Sequence, residues 1–200
     1  MLLSLLKDQT REQHAQLEAM LPLPESAASH VAQLKAYFGF VEPWERALAA
    51  VLAEADPIRA GRGKTAWLVD DLDFWGVDSE QREQLPRTTR LPSLASRPEI
   101  LGAAYVLEGS TLGGRFIAQH LEEQLGFRDD RGYRYFRSYG PQVGAQWQAF
   151  RAELSRASSP AHDPLMVRSA RETFGLLHRW FSSQLAHGRI PSHATGAPGP

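Results

Sequence analysis

The spacing of apolar residues is helical along nearly the whole chain. Apolar positions recur every three or four residues, and prolines or glycines separate most of the periodic segments. The pattern predicts helices over residues 2–21, 29–54, 64–71, 98–124, 141–157 and 163–186. Pro43 is expected to kink or interrupt the second of these. With no strand pair and no heptad run in the sequence, the pattern predicts a single all-α, bundle-like domain.

Three segments lack this periodicity. Residues 86–98 are predicted to form a loop, and residues 126–140, charged and rich in tyrosine, a turn or a flap. Residues 189–200 are rich in proline, glycine and alanine, a composition typical of disorder. The sequence therefore predicts a domain over residues 1–188 and a disordered tail over residues 189–200.

The predicted helix 98–124 contains an unusual number of glycines: Gly102, Gly109, Gly113 and Gly114. Each costs about 0.5–1 kcal/mol of helix stability relative to alanine. A helix that keeps them gains either a bend or a close approach of its backbone to a flat ligand or a neighbouring helix. The spacing favours close approach, since one face carries Tyr105, Gly109, Gly113, Phe116 and His120.

The first helix carries a polar stripe at the edge of an apolar face. Its members, separated by four, three and four residues, are Lys7, Arg11, His14 and Glu18. The adjoining face carries Leu2, Leu6, Leu17 and Met20. Two interpretations are open. The stripe is either a solvated face with a weak His14–Glu18 pair, or a metal-binding histidine oriented by a carboxylate, with two cations placed for anionic groups of the same ligand.

Composition excludes several classes of function. A formal net charge of −1 over 200 residues gives no bulk attraction to nucleic acid or to an anionic membrane. The chain has no cysteine, which excludes disulfides, thiolate ligands and a cysteine nucleophile. No uncharged run reaches the roughly 18 residues needed to span a bilayer. We therefore expect a cytoplasmic protein without a nucleic-acid or membrane partner.

Three stretches together resemble the heme oxygenase family. Residues 10–18, TREQHAQLE, resemble its proximal helix, and residues 108–114, EGSTLGG, its distal helix. Residues 70–76, DDLDFWG, match another recurrent stretch, and Phe174 and Phe181 match apolar positions that contact heme. The resemblance spans residues 4–186 and is closest to bacterial enzymes that accompany bacteriophytochromes. It also implies the fold, a helical bundle with heme between a first, proximal helix and a glycine-kinked distal helix.

The resemblance implies roles for individual residues. His14 is expected to ligate the heme iron, with Glu18 fixing its ring, while Lys7, Arg11 and, by a looser match, Arg151 bind the propionates. Gly109, Ser110 and Gly113 are expected at the oxygen-binding face. Ser110 replaces a distal Asp of the animal enzymes, so a different water network is expected. Further heme contacts are assigned by position to Tyr105, Gly114, Phe174 and Phe181.

The resemblance also implies a reaction in which heme is both cofactor and substrate. Oxygen and electrons from a ferredoxin or a reductase would convert heme to biliverdin, carbon monoxide and ferrous iron. A bacteriophytochrome is a possible acceptor of the bilin. The main alternative is a heme-binding or heme-sensing protein that does not turn heme over.

Two other classes of helical protein fit the sequence poorly. A di-iron carboxylate centre needs Glu-x-x-His motifs on paired helices, and the sequence has none. A thiaminase-like enzyme needs a nucleophilic cysteine, which this chain lacks.

Overall fold

The computed structural model describes residues 2–191, and every regular element in that range is helical. The prediction of an all-α fold is confirmed. The elements are α1 (Leu2–Met20), α2 (Ala27–Val51), α3 (Thr65–Phe74), α4 (Ser79–Glu83), α5 (Arg97–Gln124), α6 (Arg134–Arg137), α7 (Val143–Ala157) and α8 (Asp163–Ala186), with a 3₁₀ turn at Gly140–Gln142 before α7.

Helix α2 differs most from its prediction. It begins at Ala27, where Ser26 and Ser29 form a capping box, and it continues through Pro43 to Val51. The predicted interruption at Pro43 is therefore wrong. Pro43 and the neighbouring Trp44 are both buried, so packing of this face compensates for the backbone hydrogen bond that proline cannot make.

Helix α5 runs unbroken through all four glycines. The side chain of Ser96 caps it by accepting a hydrogen bond from the Glu99 backbone N–H, and Pro98 lies in the first turn. The prediction for this helix is confirmed to within one residue.

The segment predicted as a turn or a flap contains α6. Side chains from α3 and the residue after it form hydrogen bonds with this segment. The Asp71 carboxylate accepts hydrogen bonds from the backbone N–H groups of Arg134 and Tyr135, both at 2.8 Å. Trp75 Nε1 donates to the Gly132 carbonyl at 2.7 Å. The DDLDFWG stretch thus fixes the loop before α6. Burial raises the pKa of Asp71 to about 6, although these two backbone hydrogen bonds act to lower it.

Short α4 was not predicted. A capping box of Asp78 and Gln81 begins it, and none of its residues is buried. Its start signal was present in the sequence, but five residues are too few for an apolar period to emerge.

Two apolar cores share helices α2 and α5. The larger joins α1, α2, α5, α7 and α8, and the smaller joins α2, α3, α5 and α6. Helix α8 lies at the centre of the larger core, where both α1 and α5 pack on it. Helix α1 runs alongside α8 in the same direction, since His14 contacts Phe174 and Met20 contacts Ser182.

Part of the predicted tail, residues 192–200, lies outside the described residues. Within residues 2–191, no helix is both long and apolar enough to cross a membrane.

Candidate functional site

Helix α5 meets α1 and the loop after it at two points. Near one end, the side chains of Tyr105 and Thr10 lie next to each other. Near the other, His120 Nε2 lies 2.8 Å from the Pro24 carbonyl oxygen. The fifteen residues between Tyr105 and His120 correspond to about 22 Å of helix at 1.5 Å per residue. We call the space between α1 and this stretch of α5 the slot.

Gly109 and Gly113 lie on the α5 wall of the slot. A Cβ atom built on Gly113 would meet nothing within 4 Å, and one on Gly109 would meet only the Trp147 ring, at 3.9 Å. Both glycines share the helix face of Tyr105 and His120, which touch the opposite wall. The bare backbone therefore faces open space.

The other two glycines have a different environment. A Cβ on Gly102 would lie 2.9 Å from the Met166 Cα, and one on Gly114 would lie 2.6 Å from the Phe136 carbonyl oxygen. Both distances are shorter than real Cβ contacts. Gly102 and Gly114 therefore allow α5 to pack against α8 and α6, which accounts for Gly114 without a ligand. Its expected heme contact stays a prediction.

The α1 wall is exposed beyond Thr10. No residue from Arg11 to Met20 is buried, although Leu6 and Thr10, before them, are. The His14 side chain is 56% exposed, and its Nδ1 lies 3.2 Å from a Glu18 carboxylate oxygen. Within residues 2–191, its Nε2 has no hydrogen-bond partner, so this nitrogen is free to bind a ligand.

The predicted aromatic contacts occupy two different positions. Phe174 is buried on α8 and meets the His14 ring edge-on, with centroids 5.7 Å apart. Phe181 lies two turns further along α8, where it packs against Tyr37 at 5.0 Å. The structure therefore places Phe174 against His14 and Phe181 in the core beyond it.

The three predicted propionate partners lie on α1 and α7, two helices in contact with each other. Lys7 and Arg11 flank Thr10 on α1, and Arg11 pairs with Asp8 at 2.6 Å. Arg151 follows Trp147 by one turn of α7, and the Trp147 ring packs on Tyr105 with centroids 5.9 Å apart. Arg151 is half-buried and hydrogen bonded to Gln148 at 3.3 Å. This end of the slot is cationic.

The two hydroxyl residues between the glycines bond to their own helix. Ser110 Oγ donates to the Leu107 carbonyl at 2.8 Å, and Thr111 Oγ1 donates to the Glu108 carbonyl at 2.7 Å. For Thr111, which is buried, this local bond satisfies the hydroxyl group within its own helix. Ser110 is exposed, and its oxygen retains lone pairs that can accept a proton donor.

Behind the glycines, Glu108 forms a buried ion cluster. Its carboxylate accepts from Arg62 at 2.7 Å, from Lys64 and from the Tyr139 hydroxyl at 3.1 Å. Burial alone would lower the pKa of Lys64, but the charge of Glu108 raises it above its ordinary value. The cluster fixes α5 to the segment before α3, directly next to Gly109.

A cavity of about 290 Å³ lies beside the Glu108 cluster. We call this side of α5 the packed side. Its lining includes Trp44, Leu48, Ile58, Arg62, Lys64 and Glu108, and none of the predicted site residues. Within residues 2–191, no cluster of three histidine, aspartate or glutamate side chains is arranged to hold a metal ion.

The slot has the features that a flat, iron-containing ligand with carboxylate groups requires. A ring nitrogen is free on one wall, bare backbone faces space on the other, and cations lie at one end. A protein-family model described as heme oxygenase matches residues 1–183. This chain belongs to the heme oxygenase family. The slot lies between the two helices that resemble the proximal and distal helices of this family.

Solved heme oxygenases share the fold. The enzyme of Neisseria meningitidis, described with bound NO and CO, superposes with a TM-score of 0.71 at 20% identity, covering 100% of this chain and 98% of that one. Heme oxygenase-1 of the cyanobacterium Synechocystis, in complex with heme, gives 0.68 at 15% identity over 93% of each chain. The enzyme of Leptospira interrogans gives 0.65 at 17%, covering 91% of this chain and 98% of that one. No curated protein sequence matches the chain significantly.

Three residues important for the slot were not among the predicted site residues. Thr10 and His120 make the contacts at its two ends, and Trp147 lies beside Gly109. The signal for Trp147 was its position one turn before Arg151. Thr10 and His120 bond to partners far away in sequence, so no local pattern distinguishes them from ordinary helix residues.

Proposed function

We propose that this protein is a heme oxygenase that cleaves heme to biliverdin, carbon monoxide and ferrous iron, using oxygen and externally supplied electrons. The slot supports the proposal: His14 lies on α1 one turn after Thr10, and the open backbone of Gly109 and Gly113 lies on the α5 face of Tyr105, the residue next to Thr10. The redox chemistry comes from the iron of bound heme, and the porphyrin ring is the substrate.

On the α1 wall, His14 is proposed to bind the iron through Nε2. Glu18 would accept the Nδ1 proton of His14, which fixes the tautomer and the orientation of the ring. The Phe174 ring, which meets the His14 imidazole edge-on, would restrict rotation of that imidazole. Lys7, Arg11 and Arg151 would bind the propionates, since guanidinium and ammonium groups pair well with carboxylates.

On the α5 wall, Gly109 and Gly113 are proposed to leave room for oxygen and ordered water above the ligand. A side chain at either position would project into that space. Ser110 is proposed to hold a water molecule through its oxygen, because its own proton is donated to the Leu107 carbonyl. It supplies no negative charge, in contrast to an aspartate.

Electrons are proposed to come from a ferredoxin or a reductase, because the sequence contains no flavin or nicotinamide motif. A bacteriophytochrome is proposed as an acceptor of the bilin, on the basis of sequence resemblance alone.

Incubation with hemin, reductant, oxygen and catalase tests the proposal. We expect the hemin absorption to be replaced by that of biliverdin, with one carbon monoxide released per heme. His14→Ala should abolish the reaction, whereas His162→Ala, a histidine bonded to the Ala157 carbonyl, should not affect it. A heme complex that stays spectrally unchanged under these conditions would favour the alternative, a non-catalytic heme-binding or heme-sensing protein.

A further inference from the structure

Phe116 on α5 has an unusual exposure for an aromatic residue. It is 75% exposed, whereas the other exposed large apolar side chains of residues 2–191 range from 40% to 51%. An isolated exposed apolar residue needs no explanation by itself. The position of Phe116 is what makes its exposure informative.

Phe116 lies on the slot face of α5. It follows Tyr105 by eleven residues, and at 100° per residue this total of 1100° places it only 20° from the direction of Tyr105. His120, by the same arithmetic, lies 60° from Tyr105. Because Tyr105 contacts Thr10 and His120 contacts Pro24, Phe116 lies in the arc between two residues that reach the opposite wall.

The surroundings of Phe116 are open. Gly113, one turn earlier, has empty space where a side chain would project. The cationic end of the slot is at Tyr105, and eleven residues of helix place Phe116 about 16 Å from it along α5. The slot therefore has a cationic end and an apolar end.

We propose that Phe116 is an apolar wall of the slot that packs against the hydrocarbon edge of bound heme and limits rotation of the macrocycle in its plane. The inference rests on the proposed function. Heme carries both carboxylates on one edge and only hydrocarbon on the opposite one. Cations at one end and Phe116 at the other therefore favour one orientation, so that Phe116 determines which meso carbon reacts.

A single introduced thiol tests the contact without measuring turnover. Because the chain has no cysteine, Phe116→Cys carries a unique thiol. We expect iodoacetamide to alkylate it at least about tenfold more slowly in the hemin complex than in the apoprotein. Cyanide-ligated hemin, in which a sulfur cannot take the open iron position, should protect equally.

The matched control is Phe74→Cys, at a 43% exposed ring on α3 that contacts Arg131 rather than the slot. Its alkylation should be independent of hemin. Equal rates for the Phe116→Cys apoprotein and complex would overturn the inference, and so would protection that cyanide abolishes.

The effect on orientation is tested with Phe116→Ala. Since the ring is exposed, the apoprotein should keep its melting temperature. Hemin transfer to apomyoglobin should be about five- to tenfold faster, and the biliverdin isomer ratio should shift from that of the wild type. Unchanged hemin release and isomer ratio would contradict the inference. A wild-type protein that does not bind hemin would refute the proposed function itself, whereas a turnover-competent wild type with silent Phe116 variants refutes only this inference.

Discussion

Along α5, Gly102 and Gly114 lie against the backbone of Met166 and Phe136, whereas Gly109 and Gly113 face space. The same residue type thus serves two purposes within one helix. At Gly102 and Gly114, glycine permits close contact between protein segments, and at Gly109 and Gly113 it leaves open space. Glycine spacing alone does not separate the two purposes, because only the neighbours of each missing side chain distinguish them.

The charged groups differ in the same way. Glu108, on the packed side, is 5% exposed and bonded to Arg62, Lys64 and Tyr139. On the slot side, the Asp8–Arg11 and His14–Glu18 pairs of α1 are exposed and lie within one helix. The packed side should therefore determine the stability of the apoprotein, and the slot side its affinity for ligand.

The largest expected effect is that of Glu108→Ala. Removing this carboxylate leaves two buried cations without their partner, which costs about 3–5 kcal/mol. Urea unfolding of the apoprotein measures the loss. The control is Asp8→Ala, which breaks the exposed pair with Arg11 and should have no measurable effect. Similar unfolding curves for the two variants would remove the distinction between the sides.

Gly102→Ala should come next, with a loss of about 2–3 kcal/mol. The added methyl group would overlap the Met166 backbone, which cannot move without displacing α8. The same unfolding measurement tests it. Gly144→Ala on α7, where a Cβ meets nothing within 4 Å, is the control and should not destabilise. A Gly102→Ala protein as stable as the wild type would show that α5 and α8 are not closely packed there.

The folded protein should also lose stability in acid because of His30, a buried residue of α2. Burial lowers the pKa of His30 to about 4, whereas in the unfolded chain it is near 6.5. As pH falls below 6.5, the unfolded chain takes up the proton first, so the stability associated with neutral His30 decreases until about pH 4. Between pH 7 and pH 5 this amounts to about 2 kcal/mol.

His30→Gln isolates that contribution, because glutamine can still donate to the Gly132 carbonyl, which His30 Nε2 contacts at 2.6 Å. Asp71, whose pKa is raised and whose contribution has the opposite sign, is present in both proteins and cancels in the difference. Unfolding at pH 7 and pH 5 should show a smaller loss in the variant. Equal losses would mean that His30 is not buried as a neutral ring.

The smallest expected effect is that of Gly113→Ala, with a gain of about 0.5–1 kcal/mol in the apoprotein. The methyl group enters open space while the helix gains propensity. Hemin turnover should nevertheless fall, whereas Gly144→Ala should not reduce it. Thermal unfolding and biliverdin formation, measured on the same samples, check both parts. A destabilised Gly113→Ala apoprotein would place Gly113 on the packed side.

Most of the fold could be predicted from the sequence because long amphipathic helices carry a strong period. The bounds of helices α1 and α5 were predicted to within one residue. The predicted interruption at Pro43 was wrong because tertiary packing outweighed a local rule. The Glu108 cluster and the contacts of Thr10 and His120 join residues distant in sequence, so only the folded chain reveals them.

The most direct test of the central claim, that the open side of α5 is the heme side, is hydrogen–deuterium exchange of the apoprotein with and without hemin. Hemin should slow exchange in residues 10–24 and 105–120, the two walls of the slot, and leave residues 53–64 and 130–137 unchanged. Slowing confined to residues 41–64, around the cavity on the packed side, would contradict the claim.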